Sequence, residues 1–278
     1  MKMKTASVKI CCKILLITFV SSSWLFSACS SSESESDPVT PPISTIPEPD
    51  FYYGADLSYV NELEDCGAIY FNSEGQTTDP YTIFTEAGAN LIRYRLWHNP
   101  QWTDYSTYTD VKKAIGRAKQ KGLRVLLDFH YSDDWADPQK QTIPEAWRPH
   151  IDDTATLGDS LYNYTYAILD DLAKSDLLPE MVQVGNEINP MILQADENLQ
   201  WPIDWERNKA LLERGIQAVR DISAAQGEEV EVMLHIAQPE NGLWWFKEAT
   251  EAGLTDYDWI GLSYYPKWSE YKLDNLEP

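Results

Sequence analysis

Glu187 closes the apolar run "MVQVGNE" at 181–187, directly after Asn186. A carboxylate at the end of an apolar strand is costly to bury unless it is paired or neutral. Either outcome tunes its pKa, as a general acid requires. Asn186 adds a donor group and an acceptor group able to grip a hydroxyl, and Gly185 keeps the backbone open beside a ligand. An Asn-Glu pair also serves as an ordinary loop cap, so its meaning depends on where it sits. Other polar residues interrupt similar apolar runs: Arg93 and Arg95 in "LIRYRLW", Asp128 and His130 in "RVLLDFHYS", His235 in "EVMLHIA". Two histidines on separate strands lack recognisable metal-ligand spacing. Contact with a ligand or orientation of a carboxylate suits His130 and His235 better, and no metal or cofactor is expected.

The elements that must position these residues alternate. Strand-like runs are "FYYGADLS", "LIRYRLW", "RVLLDFHYS", "MVQVGNE", "EVMLHIA" and "WIGLSYYP", with helical stretches between them. Val111, Ala114, Ile115 and Ala118 share one helical face, as do Leu212, Ile216, Val219 and Ile222, with Gly122 and Gly227 as stops. Strand, helix, strand, repeated, implies parallel strands with helical crossovers. Side chains alternate along a strand. Ile92, Tyr94 and Leu96 therefore oppose Arg93, Arg95 and Trp97, and Val232, Leu234 and Ile236 oppose Met233, His235 and Ala237. One side is apolar. The other turns polar toward the strand's C-terminal end.

An open doubly wound sheet would bury both faces in near-continuous apolar runs. A (β/α)8 TIM barrel instead packs its outside with helices and carries its site at the C-terminal mouth. The barrel is the predicted fold, with about six of eight βα units in residues 51–278. Eight units need roughly 300 residues, so the chain is read as ending before a seventh strand, inactive on its own, with unpaired edges at strands one and six. By strict parity Asn186 points away from Glu187, so strand four must bend or bulge for both to face a substrate.

The first 28 residues combine Lys2, Lys4, Lys9 and Lys13 with the apolar "ILLITFV" and end in "FSA" before Cys29, the pattern of a secretion signal. A small residue before Cys29 resembles the lipobox of bacterial lipoproteins, which implies acylation of Cys29. Phe26 departs from the usual Leu of that box, and plain signal-peptidase cleavage near Ala28 is the alternative. Residues 29–50 are rich in Ser, acids and Pro and read as a tether. The acidic run after Cys29 resembles a surface-export signal, so an outer-membrane protein exposed at the cell surface is expected. With the signal removed and Cys29 acylated, Cys66 is a lone inert thiol.

The chain carries 22 Lys and Arg against 44 Asp and Glu, for a net charge of −22. That argues against a nucleic-acid partner, which needs clustered cations. Its 11 Trp and 16 Tyr suit packing and also stacking on the C–H faces of sugars. Trp97 and Trp135 are expected as sugar platforms over the mouth, and Tyr265 is expected to line the cleft. Trp147 is open between platform and loop packing. Trp244, Trp245 and Phe246 are read as core, and Tyr264 as outward.

On these residues the chain resembles a known group. An Asn-Glu pair closing strand four is the acid/base signature of the clan of retaining (β/α)8 glycoside hydrolases. "GADLSYVNELEDCGAIYFNSEG", "NLIRYRLWHNP", "LLDFHYSDDWADPQKQTIPEAW", "VQVGNEIN" and "IGLSYYPKW" look like glycoside hydrolase family 53, the arabinogalactan endo-β-1,4-galactanases. The resemblance runs from about Tyr53 to Trp268. It implies a retaining cut of galactan, with Glu187 as acid/base and a nucleophilic glutamate on a seventh strand that this chain lacks. It also implies that Arg93 or Arg95 holds the nucleophile ionised; an internal ion pair with Asp56 or Asp128 is the plainer reading and does not exclude that role. Asp56 or Asp128 as base of an inverting reaction is a weaker option, since such acids more often fix hydroxyls or neighbouring side chains. Some bacterial members carry calcium, in loops beyond this C-terminus. A mannanase or cellulase of the same clan, and a non-catalytic glycan-binding lipoprotein, are the alternative functions.

Overall fold

A computed structural model of the protein describes residues 49–196 and 199–272. The signal, Cys29 and nearly all of the tether lie outside the described residues. Six strands, β1 (Gly54–Asp56), β2 (Leu91–Leu96), β3 (Arg124–Phe129), β4 (Met181–Val184), β5 (Glu231–Ala237) and β6 (Trp259–Ser263), form one sheet in the order β1-β2-β3-β4-β5-β6. Every neighbouring pair is parallel. The crossovers carry α1 (Val60–Asp65), α2 (Pro80–Glu86), α3 (Tyr108–Gln120), α4 (Thr154–Ala173), α5 (Trp205–Gln226) and α6 (Pro239–Glu251), with a 3-10 helix at Glu145–His150. The sheet curls far enough that the ring of Tyr52, before β1, meets the ring of Trp259 at the start of β6 edge-on, 5.7 Å between centroids. This is the expected six consecutive units of a (β/α)8 barrel.

Helix ends follow local chemistry. Thr107, Asp153 and Asp204 cap α3, α4 and α5 by accepting the amides of Asp110, Thr156 and Arg207. α5 stops at left-handed Gly227, where φ is 69°. The outer faces of β2 to β5 behave as strand parity requires. Ile92, Tyr94, Val125, Leu127, Val182, Val184, Val232 and Leu234 are all fully buried against Val111, Ile115, Leu161, Leu169, Leu212 and Ile216 of the helices. Each such aliphatic side chain contributes about 1.5–3 kcal/mol on burial. The Tyr94 hydroxyl joins this layer because Tyr81 and the Ala114 carbonyl satisfy it, at 2.9 and 3.0 Å.

One expectation is corrected. The run "FYYGADLS" contributes only three residues of strand, β1. On β6, the outward Ile260 and Leu262 stay 51% and 43% exposed. α6 packs on β5 and β6 from one side, and no further helix among the described residues covers the other.

Candidate active site

Arg93 is the centre of the inner face. Its Nη1 donates to Asp56 on β1 at 2.5 Å, and its Nη2 to Asp128 on β3 at 2.6 Å and to the side-chain Oδ1 of Asn186 at 2.8 Å. Its Nε donates to Gln183 on β4 at 3.2 Å. One guanidinium thus ties four segments together in the planar fork geometry that suits it. The ion pair foreseen for Arg93 is present, with both Asp56 and Asp128 as partners. Asp128 is fully buried. Burial pushes its carboxyl up, but Arg93, with His130 and His235, overrides this and leaves its pKa below the usual value.

His130 is held by its other neighbours. Its Nδ1 accepts the indole N–H of Trp97 at 3.3 Å and the Ala136 amide at 3.1 Å. Both groups only donate, so these partners assign the ring proton to Nε2. Nε2 faces Asp128 Oδ2 at 3.1 Å, too poorly aligned for a full hydrogen bond.

β4 ends at Val184 because the backbone turns there. Gly185 has φ 87°, and a side chain in its place would sit 2.5 Å from Ile188. Glu187 itself has φ 48°. This is the bend that lets both Asn186 and Glu187 face the interior. Asn186 donates to the Ala136 carbonyl at 2.8 Å and accepts from Arg93 and Gln183. Its polar groups are thus largely engaged by protein. Gln141 pins the turn from outside, donating to the Asn186 carbonyl at 2.9 Å.

Glu187 is 9% exposed. Burial is the largest influence and raises its pKa, helped by the nearby Asp137 carboxylate; Ser263, Arg93 and His130 oppose. A carboxyl kept protonated above the ordinary range is suited to donating a proton near neutral pH. The Glu187 amide donates to His235 Nδ1 at 3.2 Å. His235 is buried, which together with the Arg93 charge depresses its pKa to about 4; it is neutral at pH 7.

The aromatics divide differently from expectation. Trp135 keeps an open face, at 39% exposure, and so does Tyr265, at 46%. Trp97 does not. It is 2% exposed, enclosed by Arg95, His130, Trp102 and Trp135, so the sugar platform foreseen there is corrected to a buried support for His130. Arg95 is buried too. Its guanidinium lies over Tyr59, Trp97 and Trp135 at 4.3–4.7 Å, and its Nε donates to Ser106. Trp147 is buried against His98 and Tyr164, which settles it as loop packing. Sequence reasoning missed Gln183, Gln141, Ser263 and the exposed Trp102. Inward parity was the available signal for Gln183 and Ser263.

The sequence profile of Glycosyl hydrolase family 53 matches residues 52–278. An arabinogalactan endo-beta-1,4-galactanase of Cellvibrio japonicus (strain Ueda107) is 57% identical over 227 residues, covering 81% of this chain and 60% of the relative. An endo-beta-1,4-galactanase of Bacillus subtilis (strain 168) is 37% identical over 228 residues, covering 79% of this chain and 50% of the relative. The chain therefore spans half to three-fifths of the length of these relatives. Among solved structures, fungal beta-1,4-galactanases superpose with a TM-score of 0.72 at 32% identity, covering 81% of this chain and 67% of theirs. The Ignisphaera aggregans GH53 catalytic domain superposes with a TM-score of 0.69 at 31% identity, covering 82% of this chain and 62% of its own.

Proposed function

This chain belongs to Glycosyl hydrolase family 53, and from that premise we propose that the whole protein is an endo-β-1,4-galactanase acting on galactan or type I arabinogalactan, with Glu187 as its general acid/base. The observation that supports this is the state of Glu187. It is a nearly buried carboxyl with a raised pKa at the C-terminal end of β4, where barrel enzymes carry their chemistry.

In a retaining reaction Glu187 would first protonate the glycosidic oxygen as the bond breaks, then take a proton from the attacking water. That reaction needs a second carboxylate about 5–5.5 Å away as nucleophile, a role we assign to no residue of this chain. Arg93, Asp128, His130 and Asn186 hold the floor beneath the reacting bond. Trp135 and Tyr265 offer open rings for sugar faces. The Cys29 lipid anchor and surface location belong to the same proposal, since a tethered endo enzyme cuts long polymers outside the cell.

The test is turnover by the full gene product on galactan, mannan and cellulose. Release of reducing ends from galactan is expected; cleavage of only another β-glycan would overturn the substrate assignment. Glu187→Gln is expected to lower kcat on galactan about 10²–10⁴-fold, with the fold unchanged by circular dichroism. First-formed products of β configuration, read by proton NMR, are the expected sign of retention. Cys29→Ala is expected to abolish palmitate incorporation.

A further inference from the structure

Gln141 follows a tight hairpin in the loop after β3, where Asp137 and Lys140 exchange both main-chain hydrogen bonds at 2.8 and 3.0 Å. Its side chain is buried and turns toward the end of β4. Nε2 lies 2.9 Å from the Asn186 carbonyl, 3.3 Å from the Glu187 carbonyl and 3.1 Å from the Asp137 carbonyl. Carbonyls only accept, so these partners assign the amide nitrogen to this end of the side chain. Its two N–H groups are shared among the three oxygens.

What they hold is a strained turn. Glu187 is left-handed, at φ 48°, a conformation costly for a residue with a Cβ and kept only where the surroundings fix it. β5 fixes the nitrogen side. The Glu187 amide donates to His235 Nδ1 at 3.2 Å, and the Ile188 amide to the His235 carbonyl at 2.9 Å. Gln141 fixes the carbonyl side. Gln141 is itself anchored, because its main-chain carbonyl accepts the Gln194 amide at 2.7 Å and the Gln194 carbonyl accepts the Ile143 amide at 2.9 Å. Asn186 returns a bond to the same loop, donating to the Ala136 carbonyl at 2.8 Å. The segment that carries Trp135 and the turn that carries Glu187 are thus stitched into one unit.

We propose that Gln141 is a positioning residue for the acid/base: its side-chain amide holds the carbonyl side of the Asn186–Glu187 turn and so sets where the Glu187 carboxyl meets the glycosidic oxygen. This rests on the reading of Glu187 as the acid/base. A sugar leaves through its oxygen only as the acid hands that oxygen a proton, so a small displacement of the carboxyl is costly. A group that departs as a stable anion, such as 2,4-dinitrophenolate, needs no proton and is indifferent to the displacement.

The experiment compares Gln141→Met, which keeps the volume and removes the donors, with the milder Gln141→Asn, which draws the amide back by one methylene. Both are made in the full gene product. The first readout is kcat/KM on galactan against kcat/KM on 2,4-dinitrophenyl β-galactobioside. Gln141→Met is expected to lose about 10²-fold on galactan and to keep most of its rate on the aryl substrate; Gln141→Asn is expected to show the same split to a smaller extent. A merely structural role would lower both substrates together, and equal losses, or unchanged galactan turnover, would overturn the proposal. The second readout is amide hydrogen exchange over residues 185–189 by mass spectrometry, expected to quicken in both variants. Unchanged exchange there would overturn the proposal whatever the rates. Glu187→Gln is the reference and is expected to show the same substrate split. If it lost both substrates equally, the acid/base reading would fail instead, and the exchange would still decide whether Gln141 holds the turn.

Discussion

Asp128 has no exposure to water, and its ionised state depends on Arg93. Removing one partner of a buried pair leaves an uncompensated charge, which typically destabilises by about 3–5 kcal/mol. Arg93→Ala is therefore expected to lower the denaturant midpoint by an amount of that order, and Arg93→Ala with Asp128→Asn by less than the single change. Asp137 acts on the proton of Glu187 rather than on the fold. Its charge raises the Glu187 pKa, so Asp137→Asn is expected to shift the alkaline limb of galactan hydrolysis to lower pH. Much at this scale was legible beforehand. Arg93, Asp128, His130 and His235 were placed on the inner face by alternation alone, and they meet there. The role of Trp97 was not, because parity gives a direction and not the crowding at its end. Only packing shows that Trp102, Trp135 and Arg95 close over it. Alternation also turned Ser263 inward but gave it no role, because a serine at a strand end is ordinary until a buried imidazole is seen beside it.

Two glycines separate helix behaviour at the level of elements. Gly215 lies where α5 crosses β4, and a methyl group there would sit 2.7 Å from Val184 and 3.0 Å from Leu161. Gly215→Ala is expected to cost about 1–3 kcal/mol by overpacking, read as a lower Tm. Gly116 sits inside α3 with nothing within 4 Å of such a methyl group. Gly116→Ala is expected to stabilise by about 0.5–1 kcal/mol through helix propensity, read as a higher Tm. The helices and their stops followed from the 3.6-residue period, because long amphipathic runs carry many repeats of the signal. The strand ends did not. "MVQVGNE" reads as one strand of seven residues, whereas β4 has four, since hydrophobic alternation does not report the positive φ at Gly185 and Glu187.

For the molecule as a whole, acid should act first through His235. Unfolded, this ring takes a proton near the ordinary value of about 6.5; folded, it waits until about 4. Between those values the unfolded chain binds the proton and the folded chain does not, so stability falls as pH drops from about 6.5 to about 4 and is unaffected above. The size is roughly 3 kcal/mol at full effect. Glu187 pulls the other way, because its raised carboxyl gains its proton earlier in the folded state. The difference between wild type and His235→Gln is thus the quantity to follow, by urea denaturation across this range. A flat difference would mean the ring is charged in the native protein.

The partners gathered by Arg93 also say when the site comes into being. Asp128 and Asp56 lie 35 and 37 residues from it along the chain, and Gln183 and Asn186 lie 90 and 93 away. Contacts at such separations form only after the intervening loops have closed. A nascent chain lacking β4 can satisfy Asp56 and Asp128 but cannot seat Asn186 or present Glu187, so Arg93 can hold its two carboxylates before the residue that carries the chemistry has been made.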